Sequence, residues 1–300
     1  MGELRVSETK QLVDTYGRVH RDLRVSLTDR CSLRCTYCMP ADFSDWIANE
    51  KLLTTEELVT VIGLCVDAGI TQVRLTGGEP LLRRDIVDVV RRINELPKPP
   101  RISLTTNALR LAEVAHELKD AGLARVNVSL DTLDPTRFKE MTHRDRFHDV
   151  IAGIEAAQAA GLTPLKVNSV LLKGVNDDEA IPLLRHALAN NWNLRFIEQM
   201  PLDAGDLWAR PVMVTADEIQ KELEREFDLT PVPSRGSAPA EEFYVNGGPA
   251  TVGIIASVTR PFCAACDRLR LTADGQFRNC LFARDETDVR AVLRSGLPPV

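Results

Sequence analysis

From about residue 22 to residue 230, short runs rich in β-branched residues alternate six times with longer stretches of helical periodicity. Parallel strands cannot be joined by a tight turn and need a crossover, usually a helix, so this alternation predicts βα units and an α/β fold with a parallel sheet. The strand runs are LRVSLT (23–28), VRLT (73–76), ISLTT (102–106), RVNVSL (125–130), KVNSVLL (166–172) and LRFIEQM (194–200). Between the first two lies TTEELVTVIGLCVDAG, where Thr54 and Glu57 have capping-box spacing and Gly69 suits the exit. Six units fit either a doubly wound sheet or a partial TIM-type barrel, and in both ligands gather at the carboxyl ends of the strands. That rule singles out residues 28–38, 77–80, Asn107, Asp131 and Met200.

Past residue 228 the texture changes to the Pro, Gly and Ser-rich stretch TPVPSRGSAPAEE. Two hairpin patterns follow, FYVNGGPATVGIIASV with an Asn-Gly turn and RLRLTADGQFRNCLF with an Asp-Gly turn. The expected division is a main domain over 1–228 and a smaller C-terminal region over 229–300.

At 300 residues and 44% hydrophobic content the chain can bury a large core. A net charge of -6 argues against a nucleic-acid partner, which calls for a basic face. No apolar run approaches the ~18 residues of a membrane span, and MGELRVSETKQLVDTYG has no apolar stretch of a secretory signal. A cytoplasmic setting is expected, and there seven cysteines point to metal or redox chemistry rather than disulfides.

Cys31, Cys35 and Cys38 form C-x-x-x-C-x-x-C directly after the first strand. Three thiolates fall one short of the four that usually ligate a [4Fe–4S] cluster, leaving one iron open to a small molecule. A zinc site completed by a distant ligand is the alternative. One unit on, Thr76-Gly77-Gly78-Glu79-Pro80 closes the second strand; glycines there let backbone approach a ligand, and Glu79 offers negative charge. Cys263, Cys266 and Cys280 form C-x-x-C-x13-C across the last hairpin. A zinc ribbon would want a fourth ligand, and no histidine lies downstream to supply one. Cys65 sits on an apolar helical face and reads as core, and none of the five histidines has metal-ligand spacing with the cysteines. The stretch EIQKELEREFD reads as an exposed helical face.

The first cysteine motif, with Tyr37 before its last thiol, resembles the radical S-adenosylmethionine (SAM) superfamily. DLRVSLTDRCSLRCTYCMP, RLTGGEPLLRRD, SLTTNALRL, RVNVSLDTLDP, KVNSVLLKGVND, RFIEQM and FCAACDRLRLTADGQFRNCLF together resemble, in order, the GTP 3′,8-cyclases of molybdenum cofactor biosynthesis (protein A). The resemblance implies an incomplete TIM-type (β/α)6 barrel whose smaller C-terminal region carries a second Fe–S cluster. It implies two [4Fe–4S] clusters, one on Cys31, Cys35 and Cys38 and one on Cys263, Cys266 and Cys280, with SAM as cofactor. Tyr37, Gly78, Ser129 and Met200 match SAM-binding positions. Arg24, Arg74, Thr105, Lys166, Arg268 and Arg270 match GTP-binding positions, and Arg195 follows the same logic, because charges inside strand runs are costly unless paired with something such as a triphosphate.

The implied reaction is radical, with no acid–base residue assigned. A 5′-deoxyadenosyl radical from the first cluster takes hydrogen from the ribose C3′ of GTP, and the C3′ radical attacks C8 of guanine. Implied partners are GTP, an electron donor, cyclic pyranopterin monophosphate synthase by product transfer, and a second copy in a homodimer. Family members continue to a Gly-Gly end, whereas this sequence stops at SGLPPV, so weak cyclisation is the expectation for this chain. On the residues alone, two rivals stay open: a two-cluster radical enzyme acting on a peptide or other metabolite, and a zinc-binding regulatory or nucleic-acid module.

Overall fold

A computed structural model describes residues 5–6, 11–202 and 208–296. The Pro298-Pro299-Val300 end, to which the expectation about the Gly-Gly tail belongs, lies outside them. A short antiparallel ribbon, β1 (Arg5–Val6) with β2 (Leu12–Val13), precedes the sheet.

The six predicted strands form as β3 (Asp22–Ser26), β4 (Gln72–Thr76), β5 (Arg101–Thr106), β6 (Arg125–Ser129), β7 (Lys166–Val170) and β8 (Asn193–Ile197). They pair in chain order and all run parallel. The crossovers carry α1 (Thr55–Asp67), α2 (Ile86–Asn94), α3 (Leu111–Asp120), the pair α4 (Pro135–Thr142) and α5 (Phe147–Ala159), and α6 (Ala180–Ala189); α7 (Ala216–Leu223) follows β8. The entry of α1 is the expected capping box: Glu57 N donates to Thr54 Oγ1 at 3.2 Å and Thr54 N to Glu57 Oε2 at 2.8 Å. Its buried stripe of Leu58, Val61, Ile62 and Cys65 faces the sheet. Burial pushes the Cys65 thiol up to about 12, in keeping with a core role.

The remaining strands are β9 (Leu229–Pro231), β10 (Glu241–Val245), β11 (Thr251–Ile255), β12 (Arg268–Leu271), β13 (Gln276–Arg278) and β14 (Thr287–Asp288), before α8 (Val289–Arg294). Both expected hairpins are present, β10 with β11 and β12 with β13. They also join the main sheet: β11 lies parallel to β8 and β12 lies parallel to β3. The order is β14-β13-β12-β3-β4-β5-β6-β7-β8-β11-β10-β9, so the parallel run among the described residues is eight strands, from β12 to β11. The stretch read as a linker supplies the edge strand β9.

Along β3, Leu23 and Val25 are fully buried while Asp22, Arg24 and Ser26 alternate with them. Val73 with Val25's neighbour Leu75 repeats this in β4, around Arg74. Apolar residues thus face the helices and polar ones the opposite face, although a parallel sheet covered on both sides is normally apolar on both. The sheet curls around that polar face, for Arg74 on β4 feels the charge of Arg195 on β8, and Arg125 on β6 that of Arg24 on β3. β11 and β12 do not pair, so the barrel stays incomplete.

Candidate active site

The first cysteine loop is fastened to four neighbouring elements. Gly78 N donates to Thr28 O at 2.8 Å and Glu79 N to Arg30 O at 2.7 Å, lacing the loop to the end of β4. Glycine is required for this approach. A Cβ on Gly78 would lie 2.3 Å from the carbonyl oxygens of both Asp29 and Arg30, and Gly77 has φ +143° with Thr28 O 2.3 Å from where its Cβ would be. After β5, Asn107 Nδ2 donates to Ser32 Oγ at 3.0 Å and lies 3.9 Å from Cys31 Sγ. After β6, Asp131 Oδ2 accepts the Tyr37 hydroxyl at 2.6 Å while Oδ1 accepts Val170 N at 2.8 Å. On the outer side, Arg34 N and Thr36 N donate to Thr142 O and Met141 O at the end of α4.

Glu79 does not present its charge to a ligand. It is buried and accepts from Thr106 Oγ1 at 2.7 Å, Asn107 N at 2.7 Å and Leu81 N at 3.0 Å, so its carboxylate ties β4 to β5. Burial nevertheless pushes its carboxyl above the ordinary range. Burial also pushes Asp131 up to about 6, against the lowering effect of its Tyr37 bond.

A cavity of about 1030 Å³ opens above the strand ends and over the polar face. Tyr37, Ser129 and Met200 line it, as do Arg24, Arg74, Thr105, Arg195, Arg268 and Arg270; Cys263 and Cys266 reach it from the β11–β12 connection and Cys280 from just past β13. Two expected residues stand back from the wall. Gly78 is packed behind the cysteine loop, and Lys166 lies deeper along β7, at the register of Asn127 and Asn193.

The wall is short of counter-charge. Arg24 meets Asp22 at 3.3 Å and Arg195 meets Glu242 at 2.6 Å, yet the Nε atoms of Arg24, Arg74, Arg125 and Arg195 are buried without partners. Burial, reinforced by neighbouring guanidinium groups, pushes Arg74 down to about 9 and Arg270 down to about 10. The same causes, burial first and then the charges of Arg195 and Arg125, push Lys166 down to about 7. Such a wall is strained without an anion.

Several lining residues gave no sequence signal. Tyr16, Arg18, Asn168 and Phe262 reach the cavity from positions outside the periodic pattern or, for Asn168, from an ordinary strand site. Arg18 Nη1 donates to Cys263 O at 3.0 Å, a contact across the whole chain that no local spacing could reveal. Glu198 is fully buried and accepts from Ala216 N at 2.7 Å, Val258 N at 2.8 Å and Thr259 N at 2.9 Å, fixing the segment that leads to Cys263.

All seven cysteines are free thiols. Burial raises Cys31 and Cys38 and lifts Cys35 well above the ordinary thiol range, with Asp131 and the neighbouring cysteines adding to Cys35. Ionising them calls for a strong counter-cation such as iron. In the second group Arg268 Nε donates to Cys266 Sγ at 3.2 Å and Phe282 N to Cys280 Sγ at 3.5 Å, sulphur contacts typical of cluster surroundings. Among the described residues no three His, Cys, Asp or Glu side chains converge on a single ion. A cluster asks for less than that, because each thiolate takes its own iron and the sulphurs stand apart. Both groups therefore suit a three-thiolate Fe–S cluster.

The Radical SAM superfamily pattern matches residues 25–187, and Molybdenum Cofactor Synthesis C matches residues 192–298. A GTP 3′,8-cyclase of Streptomyces coelicolor is 60% identical over 290 residues, 96% of this chain and 85% of the relative. GTP 3′,8-cyclase 2 of Mycobacterium tuberculosis is 52% identical over 297 residues, 97% of this chain and 82% of the relative. Among solved structures, Streptococcus suis SuiB bound to S-adenosylmethionine aligns with a TM-score of 0.65 at 15% identity, covering 91% of this chain, which spans 64% of that one. A SAM-bound anSMEcpe aligns with a TM-score of 0.51 at 17% identity, over 69% of this chain and 57% of that one. The solved structures share the fold, and the matched domain patterns with the 52–60% identical relatives establish that this chain belongs to the GTP 3′,8-cyclase family of radical SAM enzymes.

Proposed function

We propose that this chain converts GTP to (8S)-3′,8-cyclo-7,8-dihydroguanosine 5′-triphosphate, the first step of molybdenum cofactor biosynthesis. The observation that carries this is one cavity lined at once by an under-neutralised arginine wall, by Tyr37, Ser129 and Met200, and by the second cysteine group. When bound, the two clusters and SAM supply the one-electron chemistry. The chain's own share is to hold and orient.

In this reading Cys31, Cys35 and Cys38 hold the first cluster, and Tyr37, Gly78, Ser129 and Met200 hold SAM, Gly78 through backbone. Cys263, Cys266 and Cys280 hold the second cluster beside the guanine. Arg24, Arg74, Thr105, Lys166, Arg268 and Arg270, with Arg195, take the triphosphate and ribose, where planar guanidinium forks suit phosphate oxygens. Fixing the ribose between two reactive ends is the positioning the reaction needs. Residues 1–228 would serve SAM and most of the triphosphate wall, and 229–300 the base together with the wall residues Arg268 and Arg270. An external electron donor, product transfer to cyclic pyranopterin monophosphate synthase, a homodimer and a cytoplasmic setting complete the proposal; no helix among the described residues is long and apolar enough to cross a membrane.

The test is anaerobic reconstitution with GTP deuterated at the ribose C3′. Deuterium is expected in 5′-deoxyadenosine alongside the cyclic product, and SAM cleavage with no deuterium transfer rejects GTP as the substrate.

Lys166 adds a pH signature. Free of ligand it loses its proton around pH 7, and an anionic phosphate beside it favours the charged form. GTP binding therefore takes up a proton above about pH 7, and affinity falls as pH rises through that point, by up to about tenfold per unit. In Lys166→Met this component of the pH profile disappears and the affinity at pH 6 drops. A wild-type profile unchanged by the substitution would remove Lys166 from the phosphate site.

A further inference from the structure

We infer that Phe262 and Arg235 are positioning residues for the substrate end of the cavity, holding the Arg268 guanidinium in place through a ring shared by two cations. The inference rests on the proposed role of Arg268 in GTP binding. Phe262 immediately precedes Cys263 and lines the cavity. The Cζ of Arg235 lies 4.4 Å from its ring centroid and that of Arg268 lies 4.8 Å from it. Both distances fall within the range where a ring quadrupole attracts a cation.

Arg235 is immobilised. Its Nε donates to Ala238 O at 2.8 Å, its Nη2 to Pro239 O at 2.7 Å and its Nη1 to Glu241 Oε1 at 3.1 Å. A guanidinium bound on every nitrogen fixes the ring laid against it. The stretch 233–240, a linker by composition, thereby becomes part of the site's wall, and Pro239 lines the cavity beside it.

Arg268 needs such a hold. It is buried among like charges, close enough to raise the cost of ionising Arg24, Arg270 and Arg235. Its direct anchors are Cys266 Sγ, 3.2 Å from Nε, and the Phe262 ring. Repulsion from the wall favours rotamers that swing the guanidinium away, and the ring's negative face opposes that rotation. One aromatic residue next to a cluster cysteine therefore couples the second cysteine loop to the placement of a cation.

The experiment measures the equilibrium affinity of the anaerobically reconstituted chain for GTP and for SAM, with iron content and thermal melting alongside. Phe262→Leu keeps apolar volume and removes the quadrupole. It is expected to weaken GTP by about tenfold while SAM affinity stays at the wild-type value, and Phe262→Tyr to recover GTP affinity to within about twofold. The double variant with Arg268→Ala is expected to bind GTP no more weakly than Arg268→Ala alone, the mark of two residues acting through one contact. Wild-type GTP affinity in Phe262→Leu, or additive losses in the double variant, would overturn the proposal. If Arg268→Ala itself binds GTP normally, the substrate role of Arg268 falls and the proposal with it, a result distinguishable from failure of Phe262→Leu alone. Should Phe262→Leu lose iron, Arg235→Gln decides: about threefold weaker GTP binding supports the proposal and wild-type affinity overturns it.

Discussion

Replacing Cys266 by alanine is expected to leave SAM cleavage running while the cyclic product disappears. Cys266 lies in the segment joining β11 to β12, and its sulphur is the acceptor for Arg268 Nε. Two thiolates do not hold a cluster that needs at least three, so the second site empties and Arg268 loses its anchor. The first cysteine loop is untouched, since its fastenings run to β4, β5, β6 and α4, and among the described residues none of these hydrogen bonds runs beyond 142 except through Asp131 to Val170. Purified anaerobically, the variant should hold half the wild-type iron and still form 5′-deoxyadenosine, with cyclised product below roughly a thousandth of wild type. Full product formation by Cys266→Ala would mean that the second site does not hold the substrate.

The second large effect comes from Cys35, the most strongly perturbed thiol of the first group. Cys35→Ala should abolish SAM cleavage as well as cyclisation, again to below roughly a thousandth of wild type, because without that ligand no open iron remains for SAM. The loss should reach no further than the chemistry. The backbone of this loop is held by Thr28, Arg30, Met141 and Thr142 carbonyls rather than by the cysteine side chains, so the melting transition of the metal-free variant should match that of the metal-free parent. SAM turnover surviving in Cys35→Ala would refute the assignment of the first cluster. Together the two variants separate the two ends of the cavity: one stops everything, the other only the second half.

The six central strands and their helices were legible because both signals are local. Strand runs such as VRLT carry a period of two, and α1 announces its start through Thr54 and Glu57. Cysteine spacing was equally plain, since Cys31, Cys35 and Cys38 share one short loop and Cys263, Cys266 and Cys280 flank one hairpin. What escaped was non-local. Pairing of β12 with β3 joins residues almost 250 apart, and neither strand's composition names its neighbour. Glu79 shows the same limit in a side chain: a carboxylate at a strand end looks available, but Thr106 and Asn107 from the next strand consume it. Arg235 carried no signal inside the Pro, Gly and Ser-rich stretch because its partner ring lies 27 residues on, in a different element.

The position of β12 also bears on the order in which the molecule can assemble on the ribosome. β3 is made early, yet the strand that covers its outer side emerges only with residues 268–271, after every other parallel strand. Until then the nascent chain carries bare backbone donors and acceptors along β3, and likewise along β8 until β11 arrives. Such uncovered edges invite pairing with the wrong chain, and late closure by distant segments is slow. The first cysteine loop, by contrast, has its anchors from β4, β5, β6 and α4 once residue 142 or so is in place. Under the proposed assignment, cluster insertion at the first site can thus precede closure of the sheet, whereas the second site comes into being only with closure itself.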